Sequence, residues 1–241
     1  MAKIPDKPQD VFVPLTEDYK KVFGKDLVSL ILYGSAAGGH YIKGKSDINV
    51  LVVLTPESVN KLEEFLGVVK HWRKSGVAVP LVMSKAFIEN SLDCYPIEFL
   101  NMKNNHILIY GEDILAQLNF NPDNLRLQIE RELKGKLVFL RQSYLETDGK
   151  SKQIKELISR SLTAFISIFN ALIYLKKGIA PQRRRDTIKE LAGLFPVDAE
   201  VFSMCADIKE GLDKLSGTEV EAVFKKYLRE VEKICGIVDA L

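Results

Sequence analysis

Apolar residues follow two regimes along the chain: short runs up to residue 111, and long helical periodicities beyond Pro122. In the first regime, residues 15–23 predict an amphipathic helix that Gly24 ends. The run over 27–33 carries the β-branched Val28 and Ile31, which suit a pleated strand. A second apolar strand is predicted from Val50 to Leu54, entered through Ser46, Asp47, Ile48 and Asn49. Residues 56–71 read as a helix with Leu62, Phe65, Leu66 and Val69 at helical spacing, and Gly76 follows as a break. Further strands are expected over 77–83, where Pro80 points to a sheet edge, over 97–103, and over 106–110 before Gly111. A short helix over 84–90 separates the first two of these. Strands and helices interleaved in this way describe a small α/β domain.

Strand patterning stops after Tyr110. Helices are predicted over 126–145, 154–176, 187–194, 197–212 and 220–235, with breaks at Gly149, at 178–181 and at Ser216-Gly217. Successive amphipathic helices make a bundle, and the stripe Leu162, Phe165, Ile166 and Phe169 reads as its core. The expected division is therefore a mixed-sheet domain over 1–121 and an all-α helical bundle domain over 122–241. The most apolar long segment, 162–175, is too short to span a bilayer, so no membrane association is expected.

The chemistry of the first half centres on residues 28–54. Gly34 has no Cβ, so the chain can turn sharply after the first strand and bring backbone N–H groups close to phosphate oxygens. Ser35 adds a hydroxyl donor. Alternate strand residues share a face, which puts Asp47 and Asn49 on one side and Ile48 and Val50 on the other. This is the outline of a phosphate-and-metal site with one carboxylate missing. His40, Lys43 and Lys45 make the intervening loop basic, which suits phosphate contact or plain solvation equally.

The apolar run, the Gly34-Ser35 pair, the spacer and the Ser46-Asp47 pair leading a hydrophobic strand resemble the DNA polymerase β-like nucleotidyltransferase superfamily. The resemblance covers about residues 25–115. It implies an α/β (α+β) nucleotidyltransferase domain with a mixed sheet, here followed by the helical bundle, as in small-molecule, aminoglycoside-type members. It further implies transfer of a nucleoside monophosphate from a nucleoside triphosphate to a hydroxyl acceptor, small molecule or protein. Carboxylates would hold Mg2+, which takes oxygen ligands and shares them with substrate phosphates. Asp47 matches the family's carboxylate position. Asn49 departs from it, keeping a carbonyl oxygen but adding an NH2 donor and removing a negative charge. That departure predicts a weakened metal site, or a catalytically silent nucleotide-binding or interaction module. The third acid is expected at Glu98, since an acid within an apolar strand is costly to bury unless paired or metal-bound. Asp93, before Pro96, is the alternative. On this reading Asp47, Asn49 and Glu98 form the catalytic and metal set, and Gly34, Ser35, Lys43 and Lys45 hold the nucleotide.

Composition adds boundaries rather than chemistry. The 241 residues are 46% hydrophobic and 27% charged, ordinary globular usage. A net charge of +2 gives no electrostatic case for nucleic acid. Cys94, Cys205 and Cys235 make neither a disulfide framework nor a zinc pattern, and His40, His71 and His106 share no metal spacing. Residues 1–10 carry no apolar h-region, so a cytoplasmic location is expected. The run Arg183-Arg184-Arg185 could meet phosphate, although a solvated loop is the plainer reading. Oligomeric state is open at this level.

Overall fold

A computed structural model describes residues 4–241, and the chain divides into two compact units, Met1–Phe120 and Asn121–Leu241. The first unit holds α1 (Phe12–Phe23), β1 (Leu27–Tyr33), β2 (Asn49–Leu54), α2 (Leu62–Arg73), β3 (Leu81–Ser84), α3 (Lys85–Asn90), α4 (Pro96–Asn104) and β4 (His106–Gly111). Its sheet runs β3-β2-β1-β4. β1 is antiparallel to β2 and β4, whereas β2 and β3 are parallel, so the sheet is mixed.

β1 and β2 are apolar except at Ser29, Tyr33 and Asn49, because both sheet faces are covered. On one face Leu30, Leu32, Ile48, Val50 and Val52 pack with Leu15, Tyr19 and Phe23 of α1 and Phe65, Val68 and Trp72 of α2. On the other, Ile31, Leu51 and Val53 pack with Ile88, Phe99, Leu115 and Leu118. The Trp72 indole N–H donates to Asp18 Oδ2 at 3.2 Å, tying α2 to α1. At the far end of β4, Gly111 has φ +83°, and a Cβ there would lie 2.0 Å from the Val28 carbonyl oxygen. Only glycine fits so close an approach. The buried Ser29 hydroxyl donates to the Glu112 carbonyl at 2.7 Å beside it.

Three expectations change here. The predicted strand over 97–103 is helix α4, because Pro96 occupies the first helical turn, where its missing N–H costs nothing, and Pro96, Ile97, Phe99 and Leu100 bury one helical face. In α2 the buried stripe is Phe65, Val68 and Trp72, while Leu62 and Leu66 are 59% and 70% exposed; the aromatic face wins because Tyr19 and Phe23 meet it. The strand over 77–83 shortens to β3, an edge strand that starts after Pro80.

The second unit contains α5 (Pro122–Leu145), α6 (Ser151–Lys177), α7 (Arg184–Leu194), α8 (Ala199–Glu210) and α9 (Gly217–Asp239). Its ends follow from local chemistry. Asn121 accepts from the Asp123 and Asn124 amides, and Pro122 follows it. Ser216 and Glu219 form a capping box at α9, and Gly178 closes α6 in the left-handed conformation. α6 packs against each of the other four helices. Phe165, Phe169, Phe202, Phe224 and Tyr227 interlock largely edge to face along this core. By length and composition α6 would suffice to cross a membrane, since it extends well beyond 162–175; Ile154, Ile158, Leu162, Phe165 and Phe169 are buried within the bundle instead.

The arginine run is structural at two of its three positions. Arg184 pairs with Glu210 at 2.8 Å, and Arg185 with Asp207 and Glu210 at 2.7 and 2.6 Å, joining α7 to α8.

Candidate functional site

The turn between β1 and β2 is held from three directions. The Gly34 amide donates to the Asn105 carbonyl at 2.9 Å, fixing the turn to the start of β4. The Gly34 carbonyl accepts from the Ala37 and Gly38 amides, each at 3.0 Å, and Ala36 is buried against the α1–α2 side of the sheet. Gly34 has φ +79°, which L side chains rarely adopt. These bonds close the turn without using the Ser35 or Ala36 amides, as at the first turn of a helix, where N–H groups are left for an external acceptor. Ser35 itself is exposed.

Asn49 opens β2 and stands directly opposite Tyr33, the residue before Gly34. Tyr33 is in turn opposite His106 on β4. Residues paired in this way share a sheet face, so Asn49, Tyr33 and His106 form a row on the face that α3 and α4 cover. Asn49 is half-buried, Asp47 exposed, and Ile48 between them fully buried on the opposite face. The Asn49 Nδ2 atom lies 3.6 Å from where a Cβ on Gly34 would stand. Burial pushes the Tyr33 phenol pKa up from its ordinary value. His106 is engaged at both nitrogens, with the Lys103 carbonyl at 2.7 Å and Asp113 Oδ1 at 3.0 Å.

Sequence patterning did not mark Asn105. Its Oδ1 is buried with no hydrogen-bond partner and lies 2.7 Å from where a Cβ on Gly38 would stand. An Asn-Asn pair just before a predicted strand was the one available signal.

The remaining predicted residues divide. Lys43 is drawn to Asp6 at 2.5 Å, and the Asp6 carboxylate raises its pKa, so its ammonium is already paired away from the turn. Lys45 and His40 are exposed. Glu98 lies on the exposed side of α4 rather than in an apolar strand, which removes the burial argument for it; α4 nonetheless packs Phe99 and Met102 on the same sheet face as Asn49. Asp93 is exposed in the turn before α4. Cys94 is exposed and Cys205 and Cys235 are buried.

Among the described residues, no three His, Cys, Asp or Glu side chains gather in a group able to hold a metal ion. With an exposed Asp47 and a neutral amide at 49, the donor set does not fit a resident two-ion centre, which depends on several carboxylates converging.

A mixed sheet carrying a glycine turn between two antiparallel central strands, followed by a helical unit, is a fold the chain shares with a solved adenyltransferase. Among solved structures, the chain is similar to spectinomycin adenyltransferase AAD(9) from Enterococcus faecialis, whose crystal structure holds ATP and spectinomycin. The likeness has a TM-score of 0.53 at 12% identity and covers 93% of this chain and 99% of that one. At that identity it is a likeness of fold. No family model matches the sequence, and no curated protein does.

Proposed function

We propose that the chain binds a nucleoside triphosphate at the Gly34-Ser35 turn and transfers its nucleoside monophosphate to a hydroxyl acceptor, through a site with weakened metal chemistry. The observation that carries this reading is the turn itself, with Gly34 at φ +79° and the Asn49 amide beside it. A fold shared with a protein solved with ATP supports it. In this reading Gly34 and Ser35 hold phosphate. Asp47 meets the magnesium that arrives with the nucleotide as substrate, and Glu98 supplies a second carboxylate from α4. Lys45 screens the phosphates from the loop, and Lys43 joins it only by leaving Asp6. The acceptor is a small molecule, by analogy of fold with the adenyltransferase.

The experiment is calorimetric titration with ATP, GTP, CTP and UTP, with and without magnesium, followed by pyrophosphate release with hydroxyl acceptors. Binding of at least one nucleotide, lost in Gly34→Val with unchanged circular dichroism, is expected. Binding of none by the native chain, or unchanged affinity in the variant, overturns the site. The neutral residue at 49 and the absence of a three-group metal cluster among the described residues favour a second reading, a catalytically silent nucleotide-binding or interaction module. Nucleotide binding without acceptor-dependent pyrophosphate release would select it.

A further inference from the structure

Asn49 sits where the family resemblance expects a metal-binding carboxylate, and its amide stands beside the glycine turn. It stands opposite Tyr33 at the lip of the turn, its Nδ2 is 3.6 Å from the position of a Gly34 Cβ, and its amide makes no hydrogen bond to another described residue. A half-buried amide whose donors no other protein group uses is free to donate to an acceptor seated on the turn. An amide can turn either edge to a ligand, and beside a phosphate oxygen only the NH2 edge attracts. A carboxylate in the same place would repel the triphosphate unless a cation lay between them.

We infer that Asn49 is a phosphate-binding residue, donating through its amide to a triphosphate oxygen seated on the Gly34-Ser35 turn, so that nucleotide binding depends little on a divalent ion. This rests on the nucleotide reading of the turn. It gives the departure at 49 a positive role: the neutral side chain replaces an ion-mediated contact with a direct one. The missing negative charge then lowers the demand for metal as well as the capacity to hold it. Asp47, exposed at the rim, can still meet an ion carried by the nucleotide, which leaves magnesium a modest effect.

The test is titration of the full chain with ATP, in EDTA and in excess magnesium, for the native protein, Asn49→Asp and Asn49→Ala. Aspartate is nearly isosteric with asparagine, so folding is preserved, and circular dichroism checks it. The native chain is expected to bind in EDTA within about fivefold of its magnesium affinity, reflecting a direct hydrogen bond. Asn49→Asp should weaken binding in EDTA by about tenfold or more and recover in magnesium, and Asn49→Ala should weaken it in both by about three- to tenfold. Native binding that falls about a hundredfold in EDTA, or equal affinities of native and Asn49→Asp proteins in EDTA, overturns the inference. If the native chain binds and Gly34→Val does not, while the Asn49 variants match the native protein, the inference alone falls. If the native chain binds ATP under neither condition, the nucleotide reading falls with it.

Discussion

The two units use backbone irregularity differently. In the helical unit the positive-φ glycines, Gly149, Gly178 and Gly211, lie where a helix ends or has just ended, and each serves a chain reversal. In the sheet unit three of the six positive-φ glycines, Gly34, Gly39 and Gly44, fall in the single connection between β1 and β2, and Gly24, Gly76 and Gly111 lie elsewhere. The buried polar atoms Thr55 Oγ1 and Asn105 Oδ1, both unpartnered, also belong to the sheet unit, and among the described residues no such atom lies in the helical one. Buried polar groups left unsatisfied cost free energy, and backbone forced into sparse regions does too. The helical unit keeps its left-handed residues, Asp148 among them, in the connections beyond helix ends, whereas the sheet unit gathers three positive-φ glycines and the unpartnered Asn105 Oδ1 around one turn, as binding sites commonly do.

The contrast can be broken most forcefully in the helical core. Phe165→Ala should lower stability by about 3–5 kcal/mol, read by thermal or urea unfolding; a loss under about 1 kcal/mol would mean that the aromatic cluster is not a close-packed core. Next comes a matched pair of glycines. Gly111→Ala should cost about 3 kcal/mol, because positive φ and a carbonyl 2.0 Å from the new Cβ act together. Gly178→Ala, at φ +72° with nothing within 4 Å, should cost only about 1–2 kcal/mol. Equal losses would show that the approach of β4 to Val28 is not tight.

Alkaline titration sharpens the comparison less strongly. Burial raises the pKa of Tyr19 in the sheet unit and of Tyr227 in the helical unit. A raised folded-state pKa gives stability that is complete below the unfolded value near 10 and is lost as pH climbs beyond it. Unfolding free energy should therefore fall above about pH 10, and Tyr19→Phe or Tyr227→Phe should each flatten that fall. The smallest expected effect is at Arg185→Ala, about 1 kcal/mol or less for a half-exposed ion pair, with ATP affinity unchanged. A loss of ATP affinity would return the arginine run to the binding surface.

What could be read from the residues is clearest where one pattern had one reading. The β1–turn–β2 passage combines β-branched runs with a glycine that neither strand could accommodate. Ambiguity entered where two patterns overlapped. Ile97 and Phe99 alternate like a strand, but Pro96, Ile97, Phe99 and Leu100 also make a helical face, and only packing on Ile31 and Leu51 distinguishes them. In α2, Leu62-Leu66-Val69 and Phe65-Val68-Trp72 are both helical stripes, and the choice lies with α1. The Lys43–Asp6 pair joins residues 37 apart in sequence, a proximity that local spacing does not encode. The turn glycine was visible for the same reason in reverse: its requirement is local.

The approach of Gly38 to Asn105 ties together two positions of the chain that are distant in sequence. A methyl group at 38 would meet the Asn105 side-chain oxygen at 2.7 Å, closer than two unbonded atoms tolerate, whereas a glycine or alanine at 105 would remove that obstacle. A side chain at 38 therefore requires the Asn105 amide to turn aside or to be shortened. The two sites, 67 positions apart by the difference of their numbers, are therefore coupled, and what position 38 can accept depends on the side chain that stands at 105.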